Sequence, residues 1–175
     1  MFSLFGKKSG PDVTDKVWMS TAAMHSGLSK WLQEQPNGLI AIWFQRDKET
    51  LQAALPEAVA SKVVLADQLT PDQVVSRIIL FAGHYPLHSV ETALAEKIGI
   101  RKMLVHSSLA SPLFKHFGGD KIIDTARSMG MKEDEAIEHF LVSSAITKTQ
   151  GKIADKVTNE MLANSEEEWM RLNLE

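Results

Sequence analysis

Four short, almost wholly apolar runs constrain this chain more than anything else in it. They are residues 39–44 (LIAIWF), 63–66 (VVLA), 77–82 (RIILFA) and 102–105 (KMLV). A strand with one face in water alternates apolar and polar residues. A continuous run bounded by turn residues suits a strand buried on both faces, as in a parallel sheet. Helical patterns separate the runs. Asp47 caps a helix that reaches residue 55 and is ended by Pro56. Thr70 with Pro71 and Gln73 combines a hydroxyl cap, Pro at the first helical position and Gln three residues after the cap. Residues 89–98 place Val90, Leu94 and Ile98 on one face, and Gly99 ends that helix. Strand and helix therefore alternate. The expected fold is α/β: a RecA-like or Rossmann-like, mostly parallel sheet of about four or five strands with helices on both faces.

Upstream, residues 14–35 are expected to be helical. Val17, Met24, Leu28, Trp31 and Leu32 repeat at three, four and seven, Thr14 is the N-cap, and Gln35-Pro36-Asn37-Gly38 is a stop. Downstream, Pro112 opens a helix holding Leu113, Phe114 and Phe117, and Gly118-Gly119 breaks it. Ile122, Ile123, Ala126 and Met129 form a further helix before Gly130. From Glu133 a long helix is expected, its first turn crowded with Glu133, Asp134 and Glu135 where the macrodipole favours negative charge. Val142, Ile146, Ile153, Val157 and Met161 recur along it at helical spacing. Ser165 with Glu168 caps a last short helix. The chain divides into an α/β domain, 1–132, with residues 1–13 as a loose tail, and a C-terminal helical extension, 133–175, packed on that domain or on a partner.

Composition narrows function mainly by exclusion. With 175 residues the chain can bury a core without staples, and with no cysteine it has no disulfide, thiol nucleophile or thiolate metal site. A net charge of −3 argues against broad binding to nucleic acid or anionic membrane. No run approaches the ~20 apolar residues of a membrane helix, and the N-terminal MFSLFGKKSG is too short to be a signal-peptide core. Phe2, Leu4 and Phe5 before Lys7 and Lys8 could touch a membrane surface, but a frayed end is the simpler expectation. A cytoplasmic setting fits.

Phosphate-binding chemistry is missing. Gly6-Lys7-Lys8-Ser9 and Gly151-Lys152-Ile153 both lack the upstream glycine of a P-loop, and there is no GxGxxG, HExxH or GxSxG. Asp134-Glu135 follows no apolar strand and suits a helix start better than a metal site. His84 and His88 flank Tyr85-Pro86-Leu87 at the carboxyl edge of the expected sheet, where α/β folds place ligands. His106 falls at the same edge after the fourth strand. These three histidines are the candidates for a metal-binding or catalytic site. Against it, Pro86 disfavours a helix that would align His84 with His88, and no nearby acid precedes them as a third ligand.

One stretch is more specific. SLASPLFKHFGGDKI (108–122), MGMK (129–132), EAIEH (135–139), Ala145-Ile146 and Gln150-Gly151-Lys152 keep their order and spacing over about 45 residues. Together they resemble the SecA preprotein translocase motor family, where such a stretch closes the second nucleotide-binding-fold domain and opens the helical scaffold. The resemblance implies a RecA-like domain with a trailing scaffold helix. It does not carry over the ATPase. The family's Gly-Arg-X-Gly-Arg-Gln-Gly motif, whose arginines reach the nucleotide, is replaced by Thr92-Ala93-Leu94-Ala95-Glu96-Lys97-Ile98-Gly99. The domain bearing the P-loop is absent as well. The resemblance therefore implies a non-catalytic, SecA-like interaction or regulatory module, with no cofactor and no nucleic-acid partner. The face of Val142, Ile146, Ile153, Val157 and Met161 is the expected contact for a protein partner or a second copy. On that reading, aspartates at Ile153 and Val157 break a dimer and leave a folded monomer. The alternative is a small enzyme or metal-binding protein using His84, His88 and His106.

Overall fold

A computed structural model describes residues 10–116 and 118–175. The expectations for Phe2 to Ser9 and for Phe117 lie outside the described residues. Among those described, the strands form one mixed sheet in the order β3-β2-β4-β5-β1-β6. β1 (Asp12–Trp18), β2 (Gly38–Ile42), β3 (Val63–Leu65), β4 (Ile78–Ala82) and β5 (Lys102–Ser108) run parallel, and β6 (Ala136–Ile137) is antiparallel to β1. The α/β fold is thus the expected one, with six strands in place of four or five.

All five residues of β2 are buried, as its unbroken apolar run requires. Their alternation feeds two cores. Ile40 and Ile42, with Leu80 and Ala82, join Leu28 and Leu32 of α1 (Thr21–Glu34) and Leu51 of α2 (Gln45–Ala54) on one face. Ala41, Phe81, Met103 and Val105 meet Leu94, Ala95 and Ile98 of α5 (His88–Ile98) on the other. Between them lie the short α3 (Glu57–Ala60) and α4 (Pro71–Ser76). The Thr70–Gln73 capping box at α4 forms as expected, and Gly99 closes α5 at φ 78°, a conformation glycine takes without a Cβ clash.

Two expectations are corrected. The expected helix at residues 14–35 is split. Residues 12–18 form β1, and α1 begins at Thr21, capped by Ser20, whose Oγ accepts from the Ala23 N–H at 3.1 Å. Val13, Thr14 and Val17 are β-branched, and the segment alternates Val13, Asp15 and Val17 toward one face, a period of two that the helical spacing of Val17 with Met24 conceals. Asp12 and Val13, placed in a loose tail by sequence, pair with Lys102 and Met103.

The second correction concerns the C-terminal stretch. Residues 133–139 are not helical. They carry β6, which covers the outer edge of β1 at its carboxyl end, through Val17 with Ile137 and Trp18 with Ala136. The helix, α8 (Phe140–Ala154), starts only after His139, whose Nδ1 accepts from the Leu141 N–H, and stops at Asp155. Val157 and Met161 lie beyond it, so the five apolar positions are not one helical stripe. Ile146 and Ile153 are 1% and 0% exposed and join Val17, Met19 and Trp169 of α9 (Glu166–Leu174) in a third core. Val142 and Val157 pack partly buried against that core, and Met161 is exposed. Residues 133–175 therefore pack on the chain's own sheet. Among the described residues no helix is long and apolar enough to cross a membrane.

α6 (Pro112–His116) and α7 (Gly119–Ser128) join through two glycines with different duties. Gly118 sits at φ 90°. A Cβ on Gly119 would lie 2.5 Å from the Leu109 carbonyl oxygen and 3.0 Å from Phe114 backbone atoms. Backbone cannot yield as a side-chain tip does, so Gly119→Ala is expected to destabilise by about 1–3 kcal/mol. Urea denaturation checks this, and an unchanged midpoint would contradict the close approach.

Candidate functional site

His84 stands two residues past the end of β4, 5% exposed, facing two buried acids. Its Nε2 lies 2.6 Å from Asp15 Oδ1 and its Nδ1 2.8 Å from Glu91 Oε1. Both acceptors are carboxylates, so both ring nitrogens must donate, and only the imidazolium does that. Burial on its own would lower the His84 pKa. The Glu91 charge and the hydrogen bonds to Asp15 and Glu91 outweigh it and raise the value to about 10.

Glu91, 1% exposed on α5, is the hub. Oε1 also accepts from the Tyr85 N–H at 2.9 Å, while Oε2 faces His88 Nδ1 at 3.2 Å and accepts from Gln150 Nε2 at 3.1 Å. Burial would raise its pKa, but the His84 charge and these hydrogen bonds take it down to about 2. Gln150, on α8, donates to the Tyr85 carbonyl as well, at 2.8 Å, so α8 is tied to the β4–α5 loop. Tyr85 Oη donates to Glu160, which also accepts from Trp169 Nε1 at 2.7 Å.

The structure thus brings His84 and His88 together, through Glu91, and leaves His106 apart. β1 pairs Asp15 with Val105, so His106, the next residue of β5, points to the opposite face. There its ring lies 6.0 Å from that of Trp18, and burial takes its pKa down to about 4, which keeps it neutral. The sequence showed no acid before His84. One comes from β1, 69 positions earlier, and the other follows on α5. With both nitrogens bound to carboxylates, His84 has no lone pair for a metal or a proton in flight. Among the described residues no group of three or more His, Asp or Glu could hold a metal ion.

Above this network, a cavity of about 370 Å³ opens at the carboxyl ends of β2, β4 and β5. Its polar lining includes Thr21, Asp47, Ser107, Glu166 and Glu167. The Glu166 N–H donates to Asp47 Oδ2 at 2.8 Å, and the Leu113 N–H donates to Glu166 Oε1 at 2.8 Å. Loss of water raises the pKa of both carboxyls, Glu166 to about 7; the Asp47 charge adds to the rise at Glu166 and the Glu167 charge to that at Asp47, against the pull of His84 on the one and Arg46 on the other. Sequence reasoning missed Asp15, Glu91, Gln150, Asp47 and Glu166. The one local hint is Asp15, a charge on the same strand face as Val13 and Val17.

Fold and site define the class: an α/β domain with a carboxylate-lined cavity over a buried ion-pair network at its strand ends. Within that class, a segment of the chain is related to SecA. Proteins named protein translocase subunit SecA from Psychrobacter cryohalolentis and Psychrobacter arcticus are each 47% identical to it over 49 residues, 28% of this chain and 5% of theirs. The protein of that name from Acinetobacter baylyi is 48% identical over 46 residues, 26% of this chain and 5% of its own. The matched part is thus a small fraction of the relatives' length. No family model matches the chain.

Proposed function

We propose that the chain is a non-catalytic, SecA-like domain, a cytoplasmic interaction or regulatory module with a role beside protein translocation and no ATPase activity of its own. One observation carries this reading. Where α/β folds hold nucleotides, at the carboxyl ends of the strands, this chain sets three carboxyls, Asp47, Glu166 and Glu167, against Arg46 and a His84 already paired with acids, a lining that disfavours phosphate. The histidine best placed for chemistry there, His84, is bound to acids at both nitrogens. The alternative of a small enzyme built on His84, His88 and His106 draws no support from this geometry, because His106 faces away from the other two. The link to translocation rests on the SecA-related segment alone.

The test has two measurements. Phosphate release from ATP by the purified chain is expected at the no-protein background. In a reconstituted SecA-driven preprotein translocation reaction, added chain is expected to change the rate. Turnover of ATP by the chain alone would overturn the non-catalytic part. An unchanged translocation rate at saturating chain, with no association with SecA, would overturn the translocation part.

A further inference from the structure

We propose that the cavity at the carboxyl edge is a binding site for a single cationic group on an apolar stem, the guanidinium or ammonium of a basic side chain or of a free amine. The proposal rests on the reading above only in taking this guest as held and not converted.

Three observations converge. First, Asp47 and Glu166 come from distant elements, the first turn of α2 and the start of α9, and stand side by side. Each has one backbone N–H on one oxygen, which leaves Asp47 Oδ1 and Glu166 Oε2 without a protein donor among the described residues. Two carboxylates drawn partly out of water with no cation between them cost free energy that a bound cation returns. The other charges facing the cavity do not supply one. Arg46 acts on Asp47 and His84 on Glu166 through space, but neither donates a hydrogen bond to them: Arg46 makes no ion pair within 4.0 Å, and both His84 N–H groups are taken by Asp15 and Glu91. Burial lowers the His25 pKa, which disfavours its charged form.

Second, Ser107 lines the same cavity. It is 2% exposed, and its Oγ has no hydrogen-bond partner among the described residues. A buried hydroxyl left unpaired is costly, and a guest N–H would satisfy it. Third, Met24, Phe44 and Leu51 give the cavity an apolar wall. That wall takes the methylene stem of a lysine or arginine. A phosphate or carboxylate guest would meet the same acids and be repelled.

The experiment titrates the whole chain with N-butylguanidinium, with the peptide acetyl-Ala-Arg-Ala-amide, and with the same peptide carrying citrulline, following amide chemical shifts. Saturable binding of one or both guanidinium probes is expected, with shifts at Ser107 and Glu166. The neutral citrulline peptide is expected to bind about tenfold more weakly or worse, since a charge-assisted bond is lost. Glu166→Gln keeps the acceptor for Leu113 and is expected to weaken binding by a similar factor. Ser107→Ala, a smaller change that preserves folding, is expected to weaken it about threefold or more. A tighter peptide than butylguanidinium identifies a polypeptide side chain as the guest, and equal affinity identifies a small amine. Equal binding of citrulline and arginine peptides, or no saturable binding of either guanidinium probe, would overturn the proposal. Chemical conversion of a bound probe would overturn the non-catalytic reading and leave the site standing.

Discussion

Glu91→Ala is expected to lower the stability of the chain by about 3–5 kcal/mol, because breaking a buried ion pair from one side leaves the other charge unpaired. The His84 imidazolium would lose its Nδ1 acceptor, and the Tyr85 N–H and one Gln150 bond would go unanswered. Glu91→Gln keeps an acceptor oxygen and should cost less. Urea denaturation followed by Trp fluorescence measures both, and a loss below about 1 kcal/mol for the alanine variant would show that the network is not buried as described. The same network sets a pH dependence. His84 has its pKa raised from 6.5 to about 10, so its contribution is complete below pH 6.5 and fades as pH rises toward 10. Glu91 is lowered from 4.5 to about 2, so its contribution is complete above pH 4.5 and fades as pH falls toward 2. Glu166 runs the other way: raised from 4.5 to about 7, it favours the folded state less as pH climbs through that interval. His84→Gln should therefore flatten the loss of stability above about pH 8, where Glu166 has finished titrating. A variant that keeps the same alkaline slope would assign that slope to another group.

What the sequence displays of this fold follows from where each strand sits. β2, β3 and β4 are buried between helices, and burial on both faces forces apolar runs that can be recognised without a partner. β1 is legible only by alternation, since Asp12, Asp15 and Lys16 interrupt it, and the helical spacing that continues into α1 absorbs Val17. β6 is two residues long, and only its pairing with β1 distinguishes it from the start of a helix. The site divides in the same way. His84 and His88 stand out because they follow an apolar run at the sheet's carboxyl edge. His84 is fixed by Asp15, which meets it only after the sheet is assembled, and by Glu91, which Gln150 joins only once α8 is in place. Without those partners, a histidine pair next to a strand end suggests a ligand site. With them, His84 becomes an internal strut, and the lining of the cavity beside it is Asp47, Ser107 and Glu166, none of which forms a motif.

The position of Ile153 decides between two pictures of the C-terminal helix, and Ile153→Asp separates them. On an exposed docking stripe the substitution would alter only self-association. Ile153 is instead 0% exposed, in the core that joins Val17, Phe114 and Trp169. Removing the aliphatic side chain alone costs about 2–5 kcal/mol. The aspartate adds the cost of an unpaired carboxyl in an apolar site, about 1–3 kcal/mol even when it takes up a proton and stays neutral. The sum approaches the whole stability of an ordinary domain, about 5–15 kcal/mol. The variant is therefore expected to lose its cooperative thermal transition. Met161→Asp, at a position 53% exposed, should change stability by no more than about 0.5 kcal/mol. Thermal unfolding by circular dichroism, paired with sedimentation, reads both. An Ile153→Asp chain that melts where the unmodified chain does would return the helix to the surface. A collapsed transition means that the Ile153 face of α8 belongs to this chain's own core and is not the surface a partner meets.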